Sequence, residues 1–146
     1  MDKLIKKALR VMEEAFTEGT EKFSQSGYVK DYCRLKIGQE KDEVFCVIFL
    51  DNHLRLLEFK EFFRGTVNQS SVFLRPIVRR ALELNASKII LTHNHPSGIV
   101  TASKADIEIT KRFNNILTEL DCEIVDHIIV SPTNSLSMVE TGISID

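Results

Sequence analysis

The stretch KIILTHNHPSGIVTASKADIEITKRF, residues 88–113, contains the clearest indication of the fold and most of the candidate functional residues. Its opening residues KIILT are mostly apolar or β-branched, which predicts a buried strand over residues 88–95. Pro96 and Gly98 then favour a turn. From Ser103 onward apolar residues recur at helical spacing, so we predict a helix over residues 103–120. A strand, a turn and a helix in direct succession are typical of an α/β domain.

The sequence on either side of this unit predicts further helices and strands. Apolar periodicity indicates three more helices, over residues 3–18, 28–38 and about 70–85. Gly19 offers a stop for the first helix, and Ser70 or Ser71 a cap for the last. Runs rich in β-branched and aromatic residues indicate strands over residues 44–50, 54–63, 123–131 and 135–140. We therefore expect an α/β domain in which a mixed sheet lies between helices.

Composition restricts the class of protein. A chain of 146 residues with 43% hydrophobic and 27% charged residues is most simply one folded domain. The longest apolar run, VFCVIFL, is far too short to span a membrane, and the charged N-terminus does not resemble a signal peptide, so we expect a cytoplasmic protein. The net charge of −2 argues against a surface built mainly for nucleic acid. Three widely spaced cysteines, Cys33, Cys46 and Cys122, predict buried free thiols.

Two histidines mark the end of the central strand. Residues two apart on a strand point to the same side, so His93 and His95 can present both imidazoles to one point. Ser103 and Asp106 open the next helix and return a hydroxyl and a carboxylate towards that point. Two imidazole nitrogens and one carboxylate oxygen suit zinc, with a fourth position left for water. The same Ser-x-x-Asp pattern is also a variant of the capping box, which needs no metal.

The four residues His93, His95, Ser103 and Asp106 reproduce the pattern H-x-H, seven residues, S-x-x-D. This pattern resembles the metal-binding signature of the JAMM metallopeptidases, also called MPN+ or JAB proteins. The phrases VFCVIFLDNHLRLL, THNHPSG and DHIIV are similar to the RadC-like branch of that family, and the likeness covers residues 28–140. It implies a cytidine-deaminase-like α/β/α sandwich with a mixed central sheet. We accordingly divide the chain into an N-terminal helix and connection (1–25) and a RadC-like JAMM domain (26–146).

The resemblance also implies a site and an activity. It implies one Zn²⁺ per chain, held by His93, His95 and Asp106, with Ser103 stabilising an oxyanion. It implies an upstream glutamate as general base, which by position is Glu43. Glu58 and Glu61, on the next predicted strand, compete for that role. The implied reaction is zinc-dependent hydrolysis of an amide bond in a peptide, an isopeptide or a small amide conjugate, by metal-activated water.

Two other functions compete with hydrolysis. Longer RadC-like proteins carry a helix-hairpin-helix region associated with DNA, and this chain resembles a short form without it. A DNA-repair or nucleic-acid-processing role is therefore the first alternative, although the net charge does not support it. A non-catalytic interaction module is the second, with residues 3–18 docking on a partner or on a second copy. His127 is expected to be a satisfied structural histidine, and Asp126 is considered as a residue that orients a ligand imidazole.

Overall fold

The computed structural model describes residues 2–21, 26–65 and 72–146. The described residues form four helices and five strands. The helices are α1 (Lys3–Glu18), α2 (Ser26–Ile37), α3 (Leu74–Leu84) and α4 (Lys104–Thr118). The strands are β1 (Val44–Leu50), β2 (Leu56–Arg64), β3 (Lys88–Asn94), β4 (Glu123–Val130) and β5 (Ser135–Ser137).

The strands form one mixed sheet in the order β2-β1-β3-β4-β5. β3 and β4 run parallel, joined through α4, and the other neighbouring strands are antiparallel. In the register of β1 against β3, Phe45 lies opposite His93. The start of β1 and the end of β3 therefore lie side by side, at the same end of these two neighbouring strands.

Both faces of the sheet are covered by helices. Alternate residues of β1 point to opposite faces, and every residue of this strand is buried. One face packs against α3 and α4, with a core that includes Phe45, Leu91 and Phe113. The other face packs against α1 and α2, with a core that includes Tyr32, Ile48 and Ile90. These layers confirm the predicted α/β/α sandwich with a mixed central sheet.

The boundaries of α1 agree with its prediction. Asp2 is the N-cap, and its side chain accepts a hydrogen bond of 2.7 Å from the amide of Leu4. Gly19 ends the helix with a φ of 83°, the left-handed conformation that suits glycine. The predicted capping residues of α3, Ser70 and Ser71, lie outside the described residues, and Phe73 occupies the N-cap position of that helix.

Two predicted strands have different boundaries. β2 begins at Leu56 rather than at residue 54, because the chain turns tightly there and Leu54 adopts a φ of 62°. β5 ends at Ser137 rather than at residue 140, and a turn follows in which the amide of Thr141 donates to the carbonyl oxygen of Ser137 (3.1 Å). Asp126 accepts hydrogen bonds from the Ser137 hydroxyl and the Val139 amide, which holds this turn against β4.

The expectation of buried free thiols is confirmed, since Cys33, Cys46 and Cys122 are all buried and unpaired. None of the helices in the described ranges is both long enough and apolar enough to cross a membrane.

Candidate metal centre

The end of β3 and the first turn of α4 bring three predicted ligands together. His93 lies in β3, and His95 follows one residue after the strand. The amide of His95 still donates to the carbonyl oxygen of Val130 (2.8 Å), so the strand geometry continues to this residue. Both imidazoles therefore face the side of the sheet that α4 covers, where Asp106 enters from the third position of that helix.

The ligand atoms converge at distances that suit a tetrahedral metal ion. Nε2 of His93 lies 2.9 Å from Nε2 of His95 and 3.3 Å from Oδ1 of Asp106. Nε2 of His95 lies 3.7 Å from Oδ2 of Asp106. Ligands about 2.0–2.1 Å from a tetrahedral ion are separated by roughly 3.3 Å. These three residues can hold a metal ion.

The hydrogen bonds of His95 leave its Nε2 free to bind a cation. Nδ1 of His95 lies 2.8 Å from the carbonyl oxygen of Ile99. A carbonyl oxygen only accepts, so Nδ1 carries the hydrogen, and Nε2 of the neutral ring carries a lone pair. That lone pair faces Nε2 of His93 and the Asp106 carboxylate, an electron-rich set that a divalent cation would stabilise. His93 and Asp106 are buried whereas His95 is half-buried, so the group is open on the His95 side.

Asp106 is both a helix cap and a candidate ligand. The Ser103 amide donates to Oδ2 of Asp106 (2.9 Å), and the Asp106 amide donates to Oγ of Ser103 (3.0 Å), which completes a capping box. Burial by itself raises the pKa of Asp106. The neighbouring His93 imidazole and the hydrogen bond from the Ser103 amide outweigh that effect and hold the pKa of Asp106 below its usual range. The carboxylate is therefore ionised, as a metal ligand must be. The two interpretations of this motif are compatible.

Ser103 is the N-cap of α4, three residues before the candidate ligand Asp106. Its side chain is exposed, and because its Oγ accepts from the Asp106 amide, its own hydrogen can be donated elsewhere. The predicted oxyanion role of Ser103 is consistent with this position and stays a prediction.

Glu43 immediately precedes β1 and continues its pairing with β2. Its carbonyl oxygen accepts from the amide of Gly65 (2.8 Å). The register of β1 against β3 ends with Phe45 opposite His93, and Glu43 lies two residues before Phe45. Glu43 therefore precedes the end of β1 that lies beside the end of β3, and its role as general base stays a prediction.

The competing glutamates are held in ion pairs elsewhere on β2. Glu58 accepts two hydrogen bonds from Arg80, at 2.9 and 2.5 Å, and these bonds lower its pKa. Glu61 pairs with Arg64 at 2.7 Å. Neither carboxylate belongs to the His93–His95–Asp106 group.

Asn94, between the two histidines, positions the segment that carries Glu43. It points to the opposite face of the sheet, and its side-chain oxygen accepts from the amide of Val44 (2.7 Å). Its amide nitrogen donates to the carbonyl oxygens of Glu40 (3.1 Å) and Asp42 (3.0 Å). Asn94 is the middle residue of the H-x-H motif. The only indication in the sequence that its side chain acts on the opposite face of the sheet is that it alternates with the two histidines along the strand.

A third histidine, His127 on β4, lies behind the candidate ligands. Its Nε2 is 2.8 Å from Nδ1 of His93, and its Nδ1 is 2.6 Å from Oγ1 of Thr110. This confirms a satisfied, buried histidine, and burial together with the neighbouring His93 keeps its pKa well below the ordinary value. Asp126 instead bonds Ser137, Val139 and the amide of His127, so the idea that it orients a ligand imidazole is wrong.

Sequence reasoning missed Thr110 entirely. The available signal was its spacing, because a residue four positions after Asp106 lies on the same helix face.

An α/β/α sandwich with this histidine–aspartate group has the architecture of a JAB/MPN domain. Residues 23–143 match the family described as RadC-like JAB domain, and the chain belongs to that family.

Three curated relatives, each named UPF0758 protein, illustrate the similarity. The chain is 44% identical over 121 residues to a protein of Polaromonas sp. strain JS666, covering 83% of this chain and 54% of the relative. It is 39% identical over 140 residues to a protein of Vibrio cholerae serotype O1, covering 96% and 87%. It is 44% identical over 136 residues to a protein of Variovorax paradoxus strain S110, covering 93% and 60%. This chain thus spans about half the length of the Polaromonas protein and most of the Vibrio protein.

Proposed function

We propose that the chain is a zinc-dependent metallohydrolase of the JAMM type that cleaves an amide bond in a peptide, an isopeptide or a small amide conjugate. The observation that carries this proposal is the convergence of Nε2 of His93, Nε2 of His95 and the Asp106 carboxylate at 2.9–3.7 Å. Two imidazoles and a carboxylate favour zinc among the biological divalent ions. When bound by three protein ligands, zinc lowers the pKa of a water molecule to about 7.

The remaining roles belong to residues at the edge of the group. Glu43 accepts a proton from the attacking water and delivers it to the leaving amine. Ser103 donates its free hydrogen to the oxygen that becomes negatively charged as the amide carbonyl is attacked. Asn94 holds the segment before β1, and thereby the position of Glu43, through its three backbone hydrogen bonds.

Substitution of the base separates metal binding from catalysis. We expect Glu43→Gln to retain zinc while hydrolysis of a peptide and isopeptide panel slows about 10²- to 10⁴-fold, the usual contribution of a general base. Glu61→Gln is the matched control. Glu61 is an exposed glutamate on β2, the strand next to β1, and it pairs with Arg64 of the same strand. Hydrolysis that survives Glu43→Gln unchanged, or that persists after zinc is removed by a chelator, would overturn the proposal.

A further inference from the structure

A buried chain of hydrogen bonds connects two of the candidate ligands behind the metal site. Oγ1 of Thr110 lies 2.7 Å from the backbone carbonyl oxygen of Asp106 and 2.6 Å from Nδ1 of His127. Nε2 of His127 lies 2.8 Å from Nδ1 of His93. Thr110 and His127 are fully buried, with none of their surface exposed. The chain therefore runs from Asp106 through Thr110 and His127 to His93 without an exposed member.

The direction of each bond follows from the acceptor at one end. A backbone carbonyl oxygen can only accept, so the Thr110 hydroxyl donates its single hydrogen to Asp106. Oγ1 of Thr110 must then accept from Nδ1–H of His127. A neutral imidazole has only one N–H, so Nε2 of His127 is an acceptor, and Nδ1 of His93 donates to it. The hydrogen of neutral His93 is thereby fixed on Nδ1, and its Nε2 carries a lone pair that faces His95 and Asp106.

An aromatic ring keeps this arrangement closed. Phe45 stacks on His93, with ring centroids 6.2 Å apart, and meets the edge of His127 at 6.0 Å. Both imidazoles are almost completely buried. Because protein groups rather than solvent surround the pair, the hydrogen bonds with His93 and Thr110 decide which nitrogen of His127 carries its hydrogen.

We propose that Thr110 and His127 are positioning residues that select the tautomer of His93 able to bind a divalent cation through Nε2. Outer partners of ligand histidines commonly fix ring orientation and tautomer in this way. The inference rests on the proposed metal site but not on hydrolysis. It assigns to His127, which is not itself in the ligand group, a role that acts through His93.

The tautomers can be read directly in the metal-free protein. Long-range ¹H–¹⁵N NMR spectra at a mildly alkaline pH report which ring nitrogen of each neutral histidine carries the hydrogen. We expect the Nδ1–H form for both His93 and His127 in the wild-type chain. This measurement needs no variant, so it tests the inference even where a substitution impairs folding.

A matched set of threonine variants tests the consequence for metal affinity. Thr110→Val removes the acceptor for Nδ1–H of His127, so the hydrogen of His127 is expected to move to Nε2 and that of His93 to its own Nε2. We expect zinc affinity, measured by competition with a chelator, to fall about 10- to 100-fold. Thr110→Ser keeps the hydroxyl and should restore both readings. Thr118→Val is the control, since Thr118 donates to the carbonyl oxygen of Asn114 (2.6 Å) on the same helix without contacting the site.

The outcomes separate this inference from the proposed function. An Nε2–H form of His93 or His127 in the metal-free wild type overturns the inference even where zinc binds. Unchanged tautomers and zinc affinity in Thr110→Val overturn it as well. Expected tautomers in a wild-type chain that binds no zinc would support the hydrogen-bond chain while overturning the proposed metallohydrolase.

Discussion

Replacing Asn94 tests how the structure holds the segment before β1. Asn94→Ala removes the acceptor for the amide of Val44, a residue with no exposed surface. An unsatisfied buried donor costs about 1–3 kcal/mol. The carbonyl oxygens of Glu40 and Asp42 also lose their donor, but both residues lie nearer the surface, where water can replace part of the bond. We therefore expect Asn94→Ala to lower the free energy of unfolding by about 2–4 kcal/mol.

The isosteric variant Asn94→Asp distinguishes hydrogen bonding from packing. Aspartate keeps an oxygen for the Val44 amide but places its second oxygen against the two carbonyl oxygens that the asparagine NH₂ group faces. We expect this variant to be destabilised at neutral pH by at least as much as Asn94→Ala, although it fills the same volume.

Urea unfolding followed by far-UV circular dichroism measures both variants, with the dependence on urea concentration compared against the wild type. Asn134→Ala, at an exposed turn between β4 and β5, is the control and should change stability by less than about 0.5 kcal/mol. A loss below about 0.5 kcal/mol in Asn94→Ala, or wild-type stability in Asn94→Asp, would refute this account of Asn94.

Two further predictions concern regions away from the site. Glu58→Gln should destabilise the protein slightly at pH 7. Hydrogen bonds from Arg80 hold the pKa of Glu58 in the folded protein below its unfolded value of about 4.3. The stability difference between the variant and the wild type should therefore disappear as the pH falls below about 4.3 and through the folded-state pKa, which a series of urea titrations measures. Gly38→Ala should lower stability by about 1–3 kcal/mol, because a Cβ there would meet the carbonyl oxygens of Arg34 and Ser131. Gly27→Ala, whose Cβ would meet nothing within 4 Å inside α2, should leave stability unchanged or raise it by up to about 1 kcal/mol in thermal unfolding; equal losses in both glycine variants would contradict this contrast.

Local sequence pattern predicted most of the elements because the signals lie within a few residues. The stripe of α1, its stop at Gly19 and the apolar run of β1 are all local features, and the structure has them where they were expected. The end of β5 was placed wrongly because its cause is not local. Asp126 accepts hydrogen bonds from the Ser137 hydroxyl and the Val139 amide, which are 11 and 13 residues away in the sequence. These bonds stabilise a turn where the alternating sequence pattern indicates a strand.

In the candidate site, too, the contacts between residues close in sequence could be predicted and the long-range contacts could not. His93 and His95 are two residues apart on one strand, and Asp106 is close behind them in the next helix, so a short motif predicts their meeting. The contact between His93 and His127 depends on the register of β3 against β4, in which Leu91 lies opposite His127. That register is a property of the folded sheet and cannot be obtained from spacing along the chain. Thr110 acquires its role only once His127 is in place.

The metal content of the purified protein shows whether His93, His95 and Asp106 bind zinc. Elemental analysis of the wild type is compared with a His95→Ala, Asp106→Ala double variant, which removes two of the three ligands and leaves His93 in place. We expect about one zinc ion per wild-type chain and none in the double variant. A wild-type chain that takes up no zinc even when it is supplied would contradict the claim, and Ser103 and Asp106 would then be only the cap of α4.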